Sequence, residues 1–319
     1  MKIRNSWFYA TAAALSIAAV TVPTAAAPAY DRIVVFGTSL SDSGNAFALR
    51  GGTSTPPDYD VDPLLVPGTP YAAGGHHFTN GATWVEQFAR PLGLSGSVRP
   101  AFASTGTATN FAVGGARAYD DGINLNLGSQ VDVFLQQSGG MAPSTGLYVI
   151  EMGSNDIRDA LVAFPVGGHG VILQAANVAI AASVQRLYAA GARNFLVWRP
   201  PNVALTPAIR RLDMIRPGTA QLATALTQAF NGGLDAAMGQ LSLLPGIHIA
   251  RLDAFRLLND LVADPPAFGL TNVTTACITP SIAPFFCQAP DEFLFWDGIH
   301  PSRAVHTITA QEAALSLAR

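Results

Sequence analysis

The chain has 319 residues, of which 49% are hydrophobic and 12% charged, and its formal net charge is −3 at pH 7. This length can bury a full core and fits one large domain, while the charge balance gives none of the basic footprint of a nucleic-acid-binding protein. Lys2 is the only lysine, and it lies at the extreme N-terminus. The rest of the chain therefore cannot form a Ser-Lys dyad, a lysine Schiff base or a P-loop lysine site.

The N-terminus has the pattern of a secretory signal peptide. Lys2 and Arg4 precede an apolar stretch, and the small residues that follow supply a cleavage zone. The apolar run is shorter than the roughly 20 residues of a membrane-spanning helix, so we predict no permanent membrane span. We predict a signal peptide over residues 1–27 and one domain over 28–319, in a chain that is secreted or remains in the periplasm.

Alternating apolar runs and helical patterns predict the fold class. Buried strands are predicted at 32–36, 109–113, 146–152, 193–198 and 246–252. Segments with apolar residues at helical spacing lie at 83–92, 128–137, 171–191 and 219–241. This alternation predicts an α/β fold, a three-layer α/β/α sandwich with a central parallel sheet of about five strands, of the flavodoxin-like kind. Such folds bind ligands at the carboxyl ends of their strands, where Ser39, Gly115 and Ser154 lie.

Two long segments, 51–82 and 264–298, are predicted to be loops. The first is rich in Gly, Pro and Asp, and the second contains the only two cysteines, Cys277 and Cys287. Loops of this length inside a compact domain are usually functional or mobile. In an exported protein the two cysteines predict a disulfide, whereas two cysteines alone make a poor zinc site.

Residues 32–47, RIVVFGTSLSDSGNAF, place a serine directly after a buried strand. The strand pattern ends at Gly37, and Ser39 falls in the turn, where it either caps the next helix or acts as a nucleophile. A serine hydroxyl needs a base that accepts its proton and a third group that orients the base. Because lysine is excluded, the base would be a histidine.

His300 is the histidine best placed to be that base. Asp297 precedes it by three residues in FLFWDGIHPS, a spacing that lets the carboxylate hold the imidazole tautomer. Taken alone, the pair is equally well explained as a polar turn before a helix. The other five histidines have simpler predicted roles. His248 is predicted to be a core residue of a strand, His306 lies in the C-terminal helix and His169 in a glycine-rich turn. His76 and His77 are a loop pair with weak metal-binding potential.

Several segments, in order, resemble the sequence blocks of the GDSL or SGNH hydrolases. They are FGTSLSDSGN, FTNGATWVEQFA, NFAVGGA at 110–116, GSND at 153–156 and FWDGIHPS at 295–302, and RPPNVALTP resembles a proline-rich segment of the same family. Together they cover nearly all of the chain after the signal peptide. The chain is most similar to the secreted bacterial and plant-type lipolytic branch.

The resemblance implies a role for each matching residue. Ser39 would be the nucleophile, His300 its base and Asp297 the partner of the base. The oxyanion hole would consist of the backbone N–H of Ser39, the backbone N–H of Gly115 and the side-chain amide of Asn155. Each preorganised donor of this kind is worth about 2.7–4 kcal/mol in ester attack.

Simpler explanations exist for the oxyanion residues. Gly114 is an alternative to Gly115, and either glycine could serve only the close packing of a turn. Asn155 could cap a helix that starts at Ile157. One residue departs from the family pattern, because Thr38 stands where the family usually has an aspartate.

The resemblance implies a secreted serine hydrolase that cleaves carboxylic esters through an acyl-enzyme, without cofactor or metal. Apolar runs near the site, PSIAPFF and FLFW, favour lipid or acyl-chain esters as substrates. Acyl transfer or polysaccharide deacetylation would use the same residues. A catalytically inactive secreted binding protein is an alternative motivated by Thr38, and the lack of a Gly-rich phosphate loop argues against nucleotide binding. The absence of G-x-S-x-G argues against the ordinary α/β-hydrolase class.

Overall fold

A computed structural model describes residues 30–56, 58–59, 61–104 and 106–319, so the predicted signal peptide lies outside the described residues. The main sheet has four parallel strands in the order β1-β2-β3-β4. Its strands are β1 Arg32–Gly37, β2 Gly146–Glu151, β3 Asn194–Arg199 and β4 His248–Asp253. A small second sheet pairs β5 Asn272–Ala276 with β6 Phe293–Phe295, also in parallel.

The helices follow the strands in the alternation that the sequence predicts. They are α1 Asn45–Leu49, α2 Trp84–Ala89, α3 Leu127–Gln137, α4 Ser154–Ala163, α5 His169–Ala189, α6 Pro207–Ile215, α7 Thr219–Leu241, α8 Ala254–Ala263 and α9 Arg303–Leu317. Short 3-10 turns lie at Phe164–Val166, Val203–Leu205, Pro265–Phe268 and Pro290–Glu292. The two long loops carry little regular structure of their own apart from β5, β6 and these turns.

Strand β1 shows why the molecule has three layers. Val34 and Phe36 join the core that α3, α4, α5 and α7 cover, whereas Ile33 and Val35 join the core under α2 and α9. All four side chains are fully buried, which contributes roughly 1.5–3 kcal/mol for each. A strand buried on both faces is the signature of a parallel sheet between helices.

The prediction of a fifth strand at 109–113 is wrong, because the main sheet has four strands and this segment is not among them. The segment follows the outer edge of β1, where Val35 donates to the carbonyl of Thr109 at 2.9 Å and accepts from Phe111 at 2.8 Å. It forms only isolated bridges, because the N–H of Gly37, which a ladder would pair with the carbonyl of Phe111, donates instead to Oε1 of Gln130 at 2.9 Å. The chain therefore runs beside the sheet in irregular extended form.

Among the described residues, α5 is the one helix that is long and apolar enough to cross a membrane by length and composition. Its Leu173, Ala176, Ile180 and Val184 pack into the core beside the sheet. Its apolar character is therefore used in packing the fold.

The loop at 264–298 is closed by a disulfide between Cys277 and Cys287. The N–H of Ile278 donates to the carbonyl of Trp296 at 2.9 Å, and the N–H of Cys287 donates to the carbonyl of Cys277 at 2.7 Å. The disulfide-closed segment thus lies against the chain that leads directly into Asp297.

Candidate active site

The register of the sheet brings the site residues to one edge. Gly37 at the end of β1 lies opposite Glu151 at the end of β2. The turn that carries Ser39 and the start of α4, which carries Asn155, therefore leave the sheet side by side. The carboxyl edge of a parallel sheet is where ligands bind in such folds.

Ser39, His300 and Asp297 form one hydrogen-bonded chain. Oγ of Ser39 lies 2.9 Å from Nε2 of His300, and Nδ1 of His300 lies 2.7 Å from Oδ2 of Asp297. A carboxylate only accepts, so Nδ1 carries the proton and the lone pair of Nε2 faces the serine hydroxyl. Asp297 is fully buried and His300 is 3% exposed. This arrangement lets the histidine take the proton of the serine.

Asp297 is held by four hydrogen bonds. Its Oδ1 accepts from the backbone N–H of Ile299 at 2.8 Å and of His300 at 2.7 Å. Its Oδ2 accepts from His300 and also from the hydroxyl of Tyr71 at 2.8 Å. The backbone bonds form the tight turn that the Asp-x-x-His spacing permits. A buried carboxylate with this many donors is fixed in position and satisfied.

Only glycine fits between the aspartate and the loop that contacts it. A Cβ on Gly298 would lie 1.9 Å from the carbonyl oxygen of Leu64. The N–H of Gly298 donates to the carbonyl of Leu65 at 2.8 Å. The long loop at 51–82 therefore packs directly on the turn that carries Asp297.

Two backbone N–H groups near the site have no acceptor in the described part of the chain, those of Ser39 and Gly115. The N–H of Gly114, by contrast, donates to Oδ2 of Asp42 at 2.8 Å and is not available. Gly115 has a φ of +89°, a conformation that favours glycine. Of the two candidate oxyanion glycines, Gly115 is therefore the one whose backbone N–H has no acceptor.

Asn155 lies beside these donors. Its Nδ2 donates to the carbonyl of Ala116 at 2.9 Å, which leaves its second amide hydrogen free. Gly153 is the N-cap residue of α4, and Asn155 lies inside the helix. The alternative in which Asn155 caps this helix is therefore wrong, because the helix starts at Ser154 rather than at Ile157.

Buried carboxylates anchor the loops that carry the donors. Asp42 accepts from the backbone N–H of Gly114 and from three N–H groups at the start of α1. Asp156 accepts from the N–H of Ala118 and Tyr119. Burial raises the pKa of Asp42, and it raises the pKa of Asp156 to about 6. Both side chains fix the turn around Gly115.

Glu151 lies beneath the serine turn and is a residue that the sequence did not single out. It accepts from the backbone N–H of Thr38 at 2.9 Å, from the hydroxyl of Thr38 at 3.0 Å and from the hydroxyl of Ser41 at 3.1 Å. Burial raises its pKa to about 7. The position that departs from the family pattern is thus filled by a threonine that donates to a buried glutamate.

A cavity of about 90 Å³ opens beside Ser39. Thr38, Asn155 and His300 line it at the serine. Most of its other lining is apolar and comes from α8, β6 and α9, with Leu257, Leu258, Leu261, Leu294 and Val305. An apolar cavity next to a nucleophile can hold the hydrocarbon part of a substrate.

None of the remaining histidines is a member of this chain of hydrogen bonds, although His306 lines the same cavity as Ser39 and His300. His248 is exposed at the start of β4, so its prediction as a core residue is wrong; β4 is the edge strand of the sheet. His306 is buried, its Nδ1 accepts from the N–H of Trp84, and burial lowers its pKa to about 3. His169 is the first residue of α5 rather than part of a turn.

The loop histidines are committed to protein contacts. Nδ1 of His77 lies 2.7 Å from the carbonyl of Gly74, its Nε2 lies 3.0 Å from Glu86, and His76 stacks on Phe47. In the described ranges no group of three or more His, Cys, Asp or Glu side chains could hold a metal ion.

A parallel sheet that carries a hydrogen-bonded Ser-His-Asp chain at its carboxyl edge is the arrangement of a serine hydrolase. Comparison with known sequences specifies the family. The family model described as GDSL-like Lipase/Acylhydrolase matches residues 33–313. The chain therefore belongs to the GDSL-like lipase/acylhydrolase family, a family of carboxylic ester hydrolases.

Curated relatives carry lipase and esterase names. The chain is 25% identical over 305 residues to thermolabile hemolysin of Vibrio parahaemolyticus, covering 88% of this chain and 62% of that one. It is 26% identical over 362 residues to Lipase 1 of Photorhabdus luminescens, covering 93% and 51%. It is 26% identical over 321 residues to a GDSL esterase/lipase of Arabidopsis thaliana, covering 88% and 80%. The chain thus spans about half to two thirds of the two bacterial relatives.

Solved structures with similar chain traces include LAE5, an alpha/beta hydrolase enzyme from the metagenome of Lake Arreo, with a TM-score of 0.46 and 14% identity over 90% of this chain and 94% of that one. An extracellular lipase from Streptomyces rimosus has a TM-score of 0.40 and 15% identity over 90% and 99%.

Proposed function

We propose that the chain hydrolyses carboxylic esters through an acyl-enzyme, with Ser39 as nucleophile, His300 as general base and Asp297 as the group that orients the base. The observation that carries this proposal is the continuous chain from Oγ of Ser39 through His300 to Asp297, with contacts of 2.9 and 2.7 Å. The family and the names of its curated relatives support the reaction class.

The acylation step follows from this geometry. His300 takes the proton of Ser39 as Oγ bonds to the ester carbonyl carbon, and the carbonyl oxygen becomes negative. The N–H groups of Ser39 and Gly115 and the amide of Asn155 donate to that oxygen. The tetrahedral species then collapses, the bond to the alcohol oxygen breaks, and His300 returns the proton to the leaving alcohol.

Deacylation repeats the sequence with water. His300 removes a proton from water as it attacks the acyl-Ser39 carbonyl, and the same donors hold the second oxyanion. Loss of the acid returns the proton to Oγ of Ser39. Asp297 stays ionised throughout and stabilises the imidazolium that forms in each half-reaction.

The substrates we propose are esters with an apolar acyl group of short length. The apolar wall of the cavity, including Leu257 and Leu261, supports an acyl chain, and the volume of about 90 Å³ supports few carbons. A cavity of about 150 Å³ accommodates a molecule the size of benzene, so acyl groups of about two to four carbons fit. We also propose that the chain is exported, which its N-terminal pattern and the Cys277–Cys287 disulfide support.

The test compares the mature protein with Ser39→Ala, using p-nitrophenyl esters from acetate to palmitate and a fluorophosphonate probe. We expect the variant to lose at least about 10³-fold in kcat and all labelling. Ser144→Ala, which changes an exposed serine far from the cavity, should behave like the wild type. Full turnover by Ser39→Ala would overturn the proposal, and so would a folded wild type that neither turns over nor labels. Product analysis with an added alcohol separates hydrolysis from acyl transfer.

A further inference from the structure

The cavity beside Ser39 contains a cation that the proposed mechanism does not use. Arg158 lies on α4, one helical turn beyond Asn155, and lines the same cavity as Ser39 and His300. Residues three apart on a helix are neighbours on its surface, so the guanidinium lies beside the amide that we assign to the oxyanion.

Arg158 has no ion-pair partner within 4.0 Å in the described part of the chain. Its one side-chain hydrogen bond there is to Oδ1 of Asn155, at 3.5 Å. A guanidinium has five N–H donors, so most of its donors have no protein acceptor among these residues. The side chain is partly exposed and none of its nitrogens is both buried and unpartnered, so water fills these donor positions and a bound anion would displace it.

The nearby acids are already occupied. Asp159 accepts from Arg117 at 2.8 and 3.0 Å and from the hydroxyl of Tyr119 at 2.9 Å. Asp297 is held by His300 and the other donors described above. The carboxylates close to Arg158 therefore serve other cations or donors.

The acid in the long loop is bonded through one of its two oxygens, Oδ1, and makes no ion pair with Arg158. Asp62 accepts from the backbone N–H of Leu64 and Val66. Burial and the neighbouring Arg117 lower the pKa of Arg158, and the charges of Asp159, Asp62 and Asp297 offset this lowering only in part. Such a cation costs free energy that a bound anion would offset.

We propose that Arg158 binds an oxyanion group, a phosphate or a carboxylate, that the ester substrate carries close to its scissile bond. This inference rests on the proposed function, and it specifies further that the ester substrate is negatively charged. The planar guanidinium matches both groups with two parallel hydrogen bonds. Esters with such a group are preferred over neutral esters of the same acyl chain.

Two matched substrate pairs test the proposal. Dibutyrylglycerol and dibutyrylglycerol phosphate differ by an anion on the alcohol side, and p-nitrophenyl butyrate and p-nitrophenyl hemisuccinate differ by an anion on the acyl side. In the wild type we expect a higher kcat/KM for at least one anionic member. We expect 0.5 M salt to reduce that preference, because salt screens a partly exposed contact.

Arg158→Met should lower kcat/KM for the preferred anionic ester by about 10- to 100-fold through KM, and leave its neutral partner within about twofold. Arg158→Lys should keep part of the preference. Arg211→Met removes an exposed arginine of α6 and controls for overall charge. Which pair responds shows whether Arg158 recognises a phosphate on the alcohol side of the ester or a carboxylate on the acyl side.

An equal loss on both members of each pair would overturn the proposal and assign Arg158 to the positioning of Asn155. No anionic preference in the wild type, or no effect of Arg158→Met on it, would also overturn it. These outcomes leave ester hydrolysis by Ser39 intact. A wild type that hydrolyses neither neutral ester would instead contradict the proposed function.

Discussion

The hydroxyl of Tyr71 and the Nδ1–H of His300 donate to the same oxygen of Asp297, at 2.8 and 2.7 Å. Tyr71 is fully buried, and burial together with the charge of Asp297 raises its pKa far above the ordinary value. Its hydroxyl therefore stays a donor at every pH at which the protein is folded. The long loop at 51–82 thus supplies a positioning group to the proposed catalytic chain.

Tyr71→Phe is expected to reduce kcat by about tenfold and leave KM nearly unchanged. The ring remains, but Asp297 loses one charge-assisted hydrogen bond, worth about 1.5–3 kcal/mol. Ester hydrolysis measured over a range of substrate concentrations checks this. Tyr59→Phe is the matched control, since Tyr59 packs edge-to-face on Tyr71 without touching Asp297. Equal kinetics for Tyr71→Phe and wild type would show that the bond does not act on the base.

Glu151 makes stability depend on pH. Burial raises its pKa in the folded protein to about 7 from an ordinary value of 4.5, so the folded state binds its proton more tightly than the unfolded state. Its contribution is therefore most favourable below about pH 4.5 and is lost as pH rises through about 7, by about 3 kcal/mol in all.

Glu151→Gln should flatten this dependence. Urea unfolding at pH 5 and pH 8 is expected to show a smaller fall in the free energy of unfolding for the variant than for the wild type. Asp132→Asn, which changes an exposed carboxylate, should keep the wild-type difference. Parallel profiles for Glu151→Gln and wild type would show that ionisation of Glu151 is not coupled to folding.

The Thr38–Glu151 contact also explains the departure from the family pattern. An aspartate at position 38 would place a second carboxyl about where Oγ1 of Thr38 now lies, 3.0 Å from Oε2 of Glu151. Two carboxylates at this distance cannot both ionise without a large cost. The buried Glu151 at the end of β2 is therefore compatible with a hydroxyl donor at position 38, but not with a second ionised carboxylate there.

Thr38→Asp alone is expected to lower kcat at pH 8 by about tenfold or more, because repulsion displaces the N–H of Ser39. The double variant Thr38→Asp with Glu151→Gln should recover most of this loss, since the amide can donate to the new carboxylate. A double-mutant cycle on kcat measures the coupling. Additive losses would mean that the two positions act independently.

The apolar wall of the cavity should set the acyl length. Leu261→Phe fills space next to the site, so we expect kcat/KM for butyrate to fall by about tenfold relative to acetate. Ala263→Phe adds the same ring on the exposed face of α8 and should leave the ratio unchanged. The ratio is read from p-nitrophenyl esters. An unchanged ratio in Leu261→Phe would place the acyl chain elsewhere.

The sequence revealed the residues whose signal is local. Ser39 follows an apolar run, and Asp297 and His300 share one turn, so strand pattern, spacing and family blocks are enough to propose these three residues as one site. Tyr71 and Glu151 lie 226 and 113 positions from the residues they contact, and nothing periodic marks either. The segment at 109–113 has the composition of a strand, but the side chain of Gln130, which is distant in sequence, takes the N–H of Gly37 that would extend the ladder. Arg158 stood out only when the cavity and the pairing of the nearby acids were known.

The contact of Gly298 with Leu64 and Leu65 bears on how the long loop can be exchanged. Surface loops usually tolerate shortening or replacement by the loop of a relative. Here the carbonyls of the loop fit against a glycine in the turn of Asp297, and Tyr71 reaches the aspartate itself. A chimera that takes this loop from another enzyme would have to take the matching turn with it, so the two segments can be exchanged only together.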